Sequence, residues 1–170
     1  MSEISQLRLH VGDLLKRFGS QRSIDATVTL EDLRVGATVI PPDAAIAVDV
    51  QLERISEGIV VRGGIATRWV SDCARCLQPA GGAMFVSVDE LFEVDAVAGE
   101  TYPLAGEILD LEPLIRDALV LELPLAPVCR VDCEGLCPEC GIDRNLQTCT
   151  CAPEHLDPRW AALQSLDLEQ

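Results

Sequence analysis

The sequence predicts an α+β protein: an antiparallel β-sheet with flanking helices and a C-terminal Cys-rich zinc-knuckle region. Three observations carry that expectation. Apolar residues alternate with polar ones at Ile46, Val48, Val50 and Leu52, and again at Ile59, Val61, Ile65, Thr67 and Trp69, which is the period of half-buried strands. Helical spacing appears on both sides of that stretch. Six of the eight cysteines crowd between positions 129 and 151. A chain of 170 residues suffices for one domain with its own core plus a small appendage. Segments below about 40 residues usually need a metal or disulfide staple. The expected division is therefore an α+β domain over 1–127, with a Cys-rich metal-binding segment, 128–170, packed on it.

The elements follow in order. Leu7, Val11, Leu14, Leu15 and Phe18 share one face of a helix that Gly19 can close, so the N-terminus reads as an amphipathic helix. The stretch from Ile24 to Ile40 is only loosely patterned. Glu57-Gly58 supplies the turn of a hairpin between the two alternating runs, and Gly63-Gly64 suggests a bulge in its second strand. Met84, Val86, Val88, Phe92 and Val94 predict a third strand after a loop holding Cys73 and Cys76. Residues 95–107 are small and acidic and read as an exposed loop. Asp110 can cap a helix with Pro113 in its first turn and Leu111, Leu114, Ile115 and Ala118 on its inner face, stopped by Pro124 and Pro127. A last short helix is expected from Asp157 as N-cap and Pro158, with Trp160 and Leu163 on one side.

The cysteines carry the chemistry. Cys73-Ala74-Arg75-Cys76 and Cys137-Pro138-Glu139-Cys140-Gly141 each set two thiols three positions apart, a spacing that lets both sulfurs of a tight turn reach one ion. Pro presets one backbone angle there, and Gly accepts a left-handed one. Structural zinc is tetrahedral and closed, so two such pairs make one site and eight thiols could fill two. Two partitions are open. Cys73 and Cys76 can join Cys137 and Cys140, or Cys137 and Cys140 can join Cys149 and Cys151, with Cys133 as a substitute for one of these. The local set is favoured, although the short Cys149-X-Cys151 chelate is strained and keeps the first partition open. The expected metal ligands are thus Cys73, Cys76, Cys133, Cys137, Cys140, Cys149 and Cys151, with Cys129 a spectator that behaves as a small hydrophobe.

Rival uses of the thiols fit less well. The run Cys133-X3-Cys137-X2-Cys140 matches the spacing of radical enzymes that use an iron–sulfur cluster and S-adenosylmethionine, but only residues 141–170 follow it, too few for their barrel. Non-catalytic iron–sulfur binding uses the same ligands. A dithiol redox switch at Cys73 and Cys76 would be expected to open a helix in a βαβ unit, which the pattern lacks. His10 and His155, the two histidines, stand at no spacing that implies catalysis. The expectation is a non-enzyme with no small-molecule substrate.

Charge narrows the partners. The chain carries a formal −15, unevenly spread: 9 basic against 10 acidic residues over 1–76, net −1, and 4 against 18 over 77–170, net −14. Two four-thiolate zinc sites would take the total to about −19. Such a surface repels phosphates and favours basic partners. Arg62 and Arg68, in phase on the outer side of the second strand, and Arg75 in the knuckle loop form the one candidate RNA-contacting strip. The N-terminus has charges at Glu3 and Arg8 and no apolar leader core, and no run approaches the roughly 18 apolar residues of a membrane span. A cytoplasmic protein is expected, where cysteines serve metal or redox chemistry more than disulfides.

Several segments also carry a resemblance: Cys73-Ala74-Arg75-Cys76-Leu77, Ile108-Leu109-Asp110-Leu111, Leu121-Glu122-Leu123-Pro124, Asp132-Cys133-Glu134-Gly135-Leu136-Cys137-Pro138-Glu139-Cys140-Gly141, Asn145-Leu146, Cys149-Thr150-Cys151 and Asp157-Pro158-Arg159-Trp160. Together these resemble the YceD family of large ribosomal RNA subunit accumulation proteins. The resemblance implies a role in accumulating large-subunit rRNA and in ribosome assembly. It brings no catalytic residue with it. The expected partner is a basic ribosomal protein, a large-subunit rRNA precursor particle, or both, met through a zinc-stabilised surface. An acidic zinc module that binds another basic protein or regulates transcription is the second reading, and a dithiol redox protein the third.

Overall fold

The alternation at 46–52 is realised as β5 (Ile46–Arg54), where Ile46, Val48, Val50 and Leu52 are buried and the residues between them face solvent. It turns back through Ser56–Gly58 into β6 (Ile59–Asp72), pairing Arg54 with Ile59 and Ala47 with Ala66. The computed structural model describes residues 4–151 and residue 159. The remaining strands are β1 (Arg8–His10), β2 (Gln21–Val28), β3 (Arg34–Val35), β4 (Thr38–Val39), β7 (Pro79–Glu93), β8 (Tyr102–Ala105) and β9 (Ile108–Asp110). The helices are α1 (Ile4–Leu7), α2 (Gly12–Leu15) and α3 (Glu112–Glu122).

Main-chain pairing runs β2-β5-β6-β7-β8-β9-β1, and every ladder is antiparallel except β7 with β8. The small β3–β4 hairpin joins the same edge of β6 as β5 does, at Val70, beyond the point where β5 ends. The sheet curls into a half-barrel. Its two edges approach each other where Arg22 of β2 donates to the carbonyl of His10 at the end of β1 (2.9 Å) and pairs with Asp13. The concave side is filled by aliphatics from β5, β6 and β7 and by Phe92, and closed by Leu111, just before α3, with Leu114, Ile115 and Leu119 of α3.

The α+β expectation holds in part: the sheet and the C-terminal Cys clusters are there, but the protein is mostly sheet, and two of its three described helices have four residues each. The N-terminal amphipathic helix is broken into α1, β1 and α2. Leu7, Val11 and Leu14 are buried as anticipated, but Leu9 pairs with Leu109 and the Val11 N–H donates to Glu107 O (2.8 Å). The main-chain partners of an open sheet edge outweigh a weak helical nucleus. Phe18 lies exposed, its ring beneath the Arg54 guanidinium at 5.0 Å. Gly63-Gly64 inserts no extra residue: both neighbouring ladders run through it in register. The 95–107 loop contains β8, because Leu104 is buried and Tyr102 reaches the core rim. The helix at 112–122 appears as expected, with Pro113 in its first turn and the Glu112 N–H donating to Asp110 Oδ1 (3.0 Å). The helix expected from Asp157, and His155, lie outside the described residues.

Tyr102 ties the rim of the barrel to α3. Its ring stacks on Phe92 (centroids 5.1 Å apart) and its hydroxyl donates to Asp117 Oδ2 at 3.0 Å. Burial, with the Asp117 carboxylate beside it, raises the phenol above its ordinary range. Tyr102→Phe keeps the stack and removes one charge-assisted bond, so unfolding free energy should fall by about 1 kcal/mol, or roughly 2–4 °C in Tm. A thermal scan that finds no change would show that the hydroxyl bond adds nothing over solvent.

Candidate metal centre

The turn between β6 and β7 holds the first thiol pair. Cys73 N–H donates to Gln78 O (2.8 Å), Leu77 N–H donates back to Cys73 O (3.0 Å), and Leu77 is left-handed at φ +59°. The second pair repeats that geometry. Cys137 N–H donates to Ile142 O (2.8 Å), Gly141 N–H to Cys137 O (2.9 Å), and Gly141 is left-handed at φ +72°. Both turns are the same knuckle, with glycine at the left-handed position in one and a leucine in the other.

Each knuckle finds a second pair of thiols. Cys129 and Cys133, from the segment after α3, meet Cys73 and Cys76; Cys149 and Cys151 meet Cys137 and Cys140; within each group of four the sulfurs lie within 4.8 Å of one another. In the first group Cys73 Sγ is 3.8 Å from Cys133 Sγ, and Cys76 Sγ is 3.6 Å from Cys129 Sγ. Four thiolates at the zinc–sulfur distance of about 2.3 Å form a tetrahedron of edge about 3.8 Å. A disulfide would need about 2.05 Å. The spacing thus fits a single tetrahedral ion at each group.

Electrostatics point the same way. Burial raises the Cys73 thiol, yet the N–H groups of Cys129, Cys76 and Arg75 outweigh it and bring it down to about 6. At Cys76 the Gln78 N–H acts downward, but burial and the sulfurs of Cys73, Cys133 and Cys129 push it up to about 12. The second group repeats the split. N–H groups of Cys140 and Glu139 lower Cys137 to about 6, while the Cys140 thiol and burial raise Cys151 to about 12. Ionising one thiol holds its neighbours protonated, so full deprotonation of either group calls for a cation at its centre.

The first group spans the fold. Its ligands come from the β6–β7 turn and from residues 129–133, fastened by Ala74 N–H to Pro127 O (2.8 Å), Leu136 N–H to Arg75 O (2.9 Å) and Arg75 Nη1 to Cys133 O (2.9 Å). Gly135, at φ +72°, lets the chain pass against Arg75, whose carbonyl oxygen would lie 2.9 Å from any Cβ there. Trp69, Ala80 and Leu136 pack round the thiols. Among the sequence-predicted ligands, Cys137, Cys140, Cys149 and Cys151 come together as the local set, while Cys73, Cys76 and Cys133 form the other group. The structure does not bring Cys73 and Cys76 to Cys137 and Cys140. Cys129, read as a spectator, is exposed and completes the first group. Its signal was the Cys129-X3-Cys133 spacing, within the range of metal-ligand pairs. Asn145 was also missed as a site residue: its Oδ1 accepts from the Glu134 N–H (2.8 Å), and its Nδ2 donates to Cys133 Sγ (3.5 Å).

The three arginines of the candidate strip are already engaged. Arg62 pairs with Asp89 (3.0 Å) and Glu53 (3.3 Å), Arg68 with Asp43 (3.1 Å), and Arg75 is turned to the Cys133 carbonyl.

Residues 61–167 match the family described as large ribosomal RNA subunit accumulation protein YceD. The chain belongs to the YceD family. That span takes in all but the first two residues of β6, with β7, α3 and both thiol groups, the part of the molecule where the resemblance lay. A similar protein of Mycobacterium tuberculosis, uncharacterized by its name, is 38% identical over 168 residues, covering 94% of this chain and 80% of its own. One from Mycobacterium leprae, also uncharacterized by its name, is 35% identical over 96% of this chain and 78% of its own. In Zea mays a large ribosomal RNA subunit accumulation protein YCED homolog 1, chloroplastic, is 26% identical over 88% of this YceD-family chain and 62% of its own. No solved structure matches. Among the described residues no helix is long and apolar enough to cross a membrane.

Proposed function

We propose that this protein is a non-catalytic cytoplasmic factor that supports accumulation of large-subunit rRNA during ribosome assembly, its C-terminal segment held in shape by structural zinc. The observation that carries the reading is the family match over residues 61–167. Support for zinc comes from the two groups of four thiols, each a full tetrahedral set that would leave no ligand position open for substrate. Sulfurs within 4.8 Å enclose one ion; a multi-iron core would press its thiolates further apart. Zinc would neutralise part of the thiolate charge and fix segment 128–151 against the sheet. No step of chemistry passes through it.

The acidic second half, net −14, is the surface that meets a partner, a basic ribosomal protein held until rRNA competes for it. The engaged arginines favour this over direct RNA contact. Co-sedimentation with immature large subunits, compared with RNA polymerase and with free protein, tests the role. Enrichment on polymerase instead would support the transcriptional reading. Capture of ribosomal proteins at low salt, lost as ionic strength rises, is expected from the acidic surface; no capture at any salt would end the escort idea. Replacing Arg62, Arg68 and Arg75 together with Glu should leave particle association unchanged. Abolished association would transfer the contact to the arginine strip.

A further inference from the structure

The two thiol groups differ in ways that assign them different work. In the first, Cys73, Cys76 and Cys133 are buried and only Cys129 is exposed; in the second, only Cys137 is buried, with Cys140 and Cys151 exposed. The first joins residues far apart in sequence, whereas the second lies wholly within residues 137–151. Each group takes backbone N–H bonds at a sulfur, from Arg75 to Cys73 (3.4 Å) in the first and from Cys140 and Glu139 to Cys137 in the second, but the first is also packed by Trp69, Ala80 and Leu136 and takes the Asn145 side-chain N–H at Cys133 (3.5 Å).

Ligand exchange at a closed tetrahedral site starts when an incoming donor reaches the ion or a bound thiolate swings away. Both steps need solvent access and a mobile ligand. Three buried thiolates held by packing slow both at the first group, where Cys129 alone is exposed, while exposed thiolates on a short loop allow both at the second. We propose that Cys73, Cys76, Cys129 and Cys133 form a permanent zinc clasp, while Cys137, Cys140, Cys149 and Cys151 form an exchangeable zinc site whose emptying releases the loop around it without opening the sheet.

Asn145 links the two. It sits in the loop between Cys140 and Cys149, where Asp143 Oδ1 accepts from both its backbone N–H (2.9 Å) and its Nδ2 (2.6 Å). From that loop its side chain reaches Cys133 of the clasp. Loading the exchangeable site therefore orders a residue that supports the clasp. By reciprocity the clasp, once loaded, makes the second site easier to fill.

The inference rests on both groups holding zinc. Full-length protein purified with zinc is mixed with a large excess of a chromophoric chelator, and release is followed with time. Two phases of one ion each are expected, the slow one slower by about tenfold or more, on the scale that outer-shell support gives metal sites. Cys140→Ser with Cys151→Ser should remove the fast phase and keep the slow one. Hydrogen exchange over β5–β7 in that variant reports that the sheet is still folded. Asn145→Ala should speed the slow phase. A single phase for both ions, or a fast phase that survives in the double variant and vanishes in Cys129→Ser, overturns the assignment. A protein that carries no metal from the start would overturn the zinc reading itself, a different and separately visible result.

Discussion

Replacing Cys73 and Cys76 with serine should lower zinc content from two ions per chain to one and release residues 127–136 from the β6–β7 turn, while the β5–β6–β7 ladder stays protected. The two losses are coupled. Serine oxygens are poor ligands for a borderline-soft ion, so the remaining pair, Cys129 and Cys133, cannot hold it alone. Without the ion, the segment after α3 is fastened to the turn by a few main-chain bonds, chiefly Ala74 N–H to Pro127 O and Leu136 N–H to Arg75 O. With β7 and α3 still folded, those bonds have only the segment from Pro124 to Leu136 to hold, and ordering its dozen or so residues costs entropy that two or three hydrogen bonds barely offset. The ladder is expected to survive because it rests on Val48, Val50, Val61, Ile65, Met84 and Val88, none of which touches the ion. Native mass spectrometry counts the ions, and amide exchange at Ala74 and Leu136 reports the release. Retention of both ions would take Cys73 and Cys76 out of any coordination shell.

The same contrast explains what could be read from the chain. Strands β5 and β6 are legible because a two-residue period is a local property, and it buries one face of β5 at Ile46, Val48, Val50 and Leu52 and much of one face of β6 at Ile59, Val61, Ile65 and Thr67. Helix α3 is legible because its stop, Pro124, and its early Pro113 act within one turn. Strand β2 was not, since an edge strand can leave its alternate residues only half-buried: Arg22, Ile24 and Ala26 are intermediate rather than buried. The N-terminal helix failed for the opposite reason. Leu7, Val11 and Leu14 do face the core, but the unpaired edge of β9 offers Leu9 a main-chain partner that no periodicity reveals. At the site, the local thiol group was recoverable because its four ligands lie within residues 137–151. The clasp was not, because which turn the segment after α3 returns to is decided by the curl of the sheet.

That curl is expected to depend on Gly63. The ladders set it between Val50 and Val88, yet unlike Val61 and Ile65, two residues away on either side and wholly buried, Gly63 is itself exposed. Its φ is +155°, and a Cβ would overlap the carbonyl oxygen of Asp49 and lie 2.7 Å from the Val50 Cα. These are backbone atoms of β5, which cannot yield without breaking the ladder that carries Val48 and Leu52 into the core. Gly63→Ala combines an unfavourable backbone angle, about 1–3 kcal/mol, with overpacking of similar size. A loss of about 3 kcal/mol or more is expected, against a total of roughly 5–15 for a folded domain, and a fall in Tm of roughly 6–12 °C. Gly82→Ala is the control: there the nearest side-chain atom, on Trp69, would stand 3.5 Å from the new methyl, an ordinary contact. If the two variants melt together, close backbone approach at Gly63 does not govern the curl. If only Gly63→Ala falls, and its clasp zinc leaves faster, the bend of β5 over β6 is what brings the turn with Cys73 and Cys76 to Cys129 and Cys133.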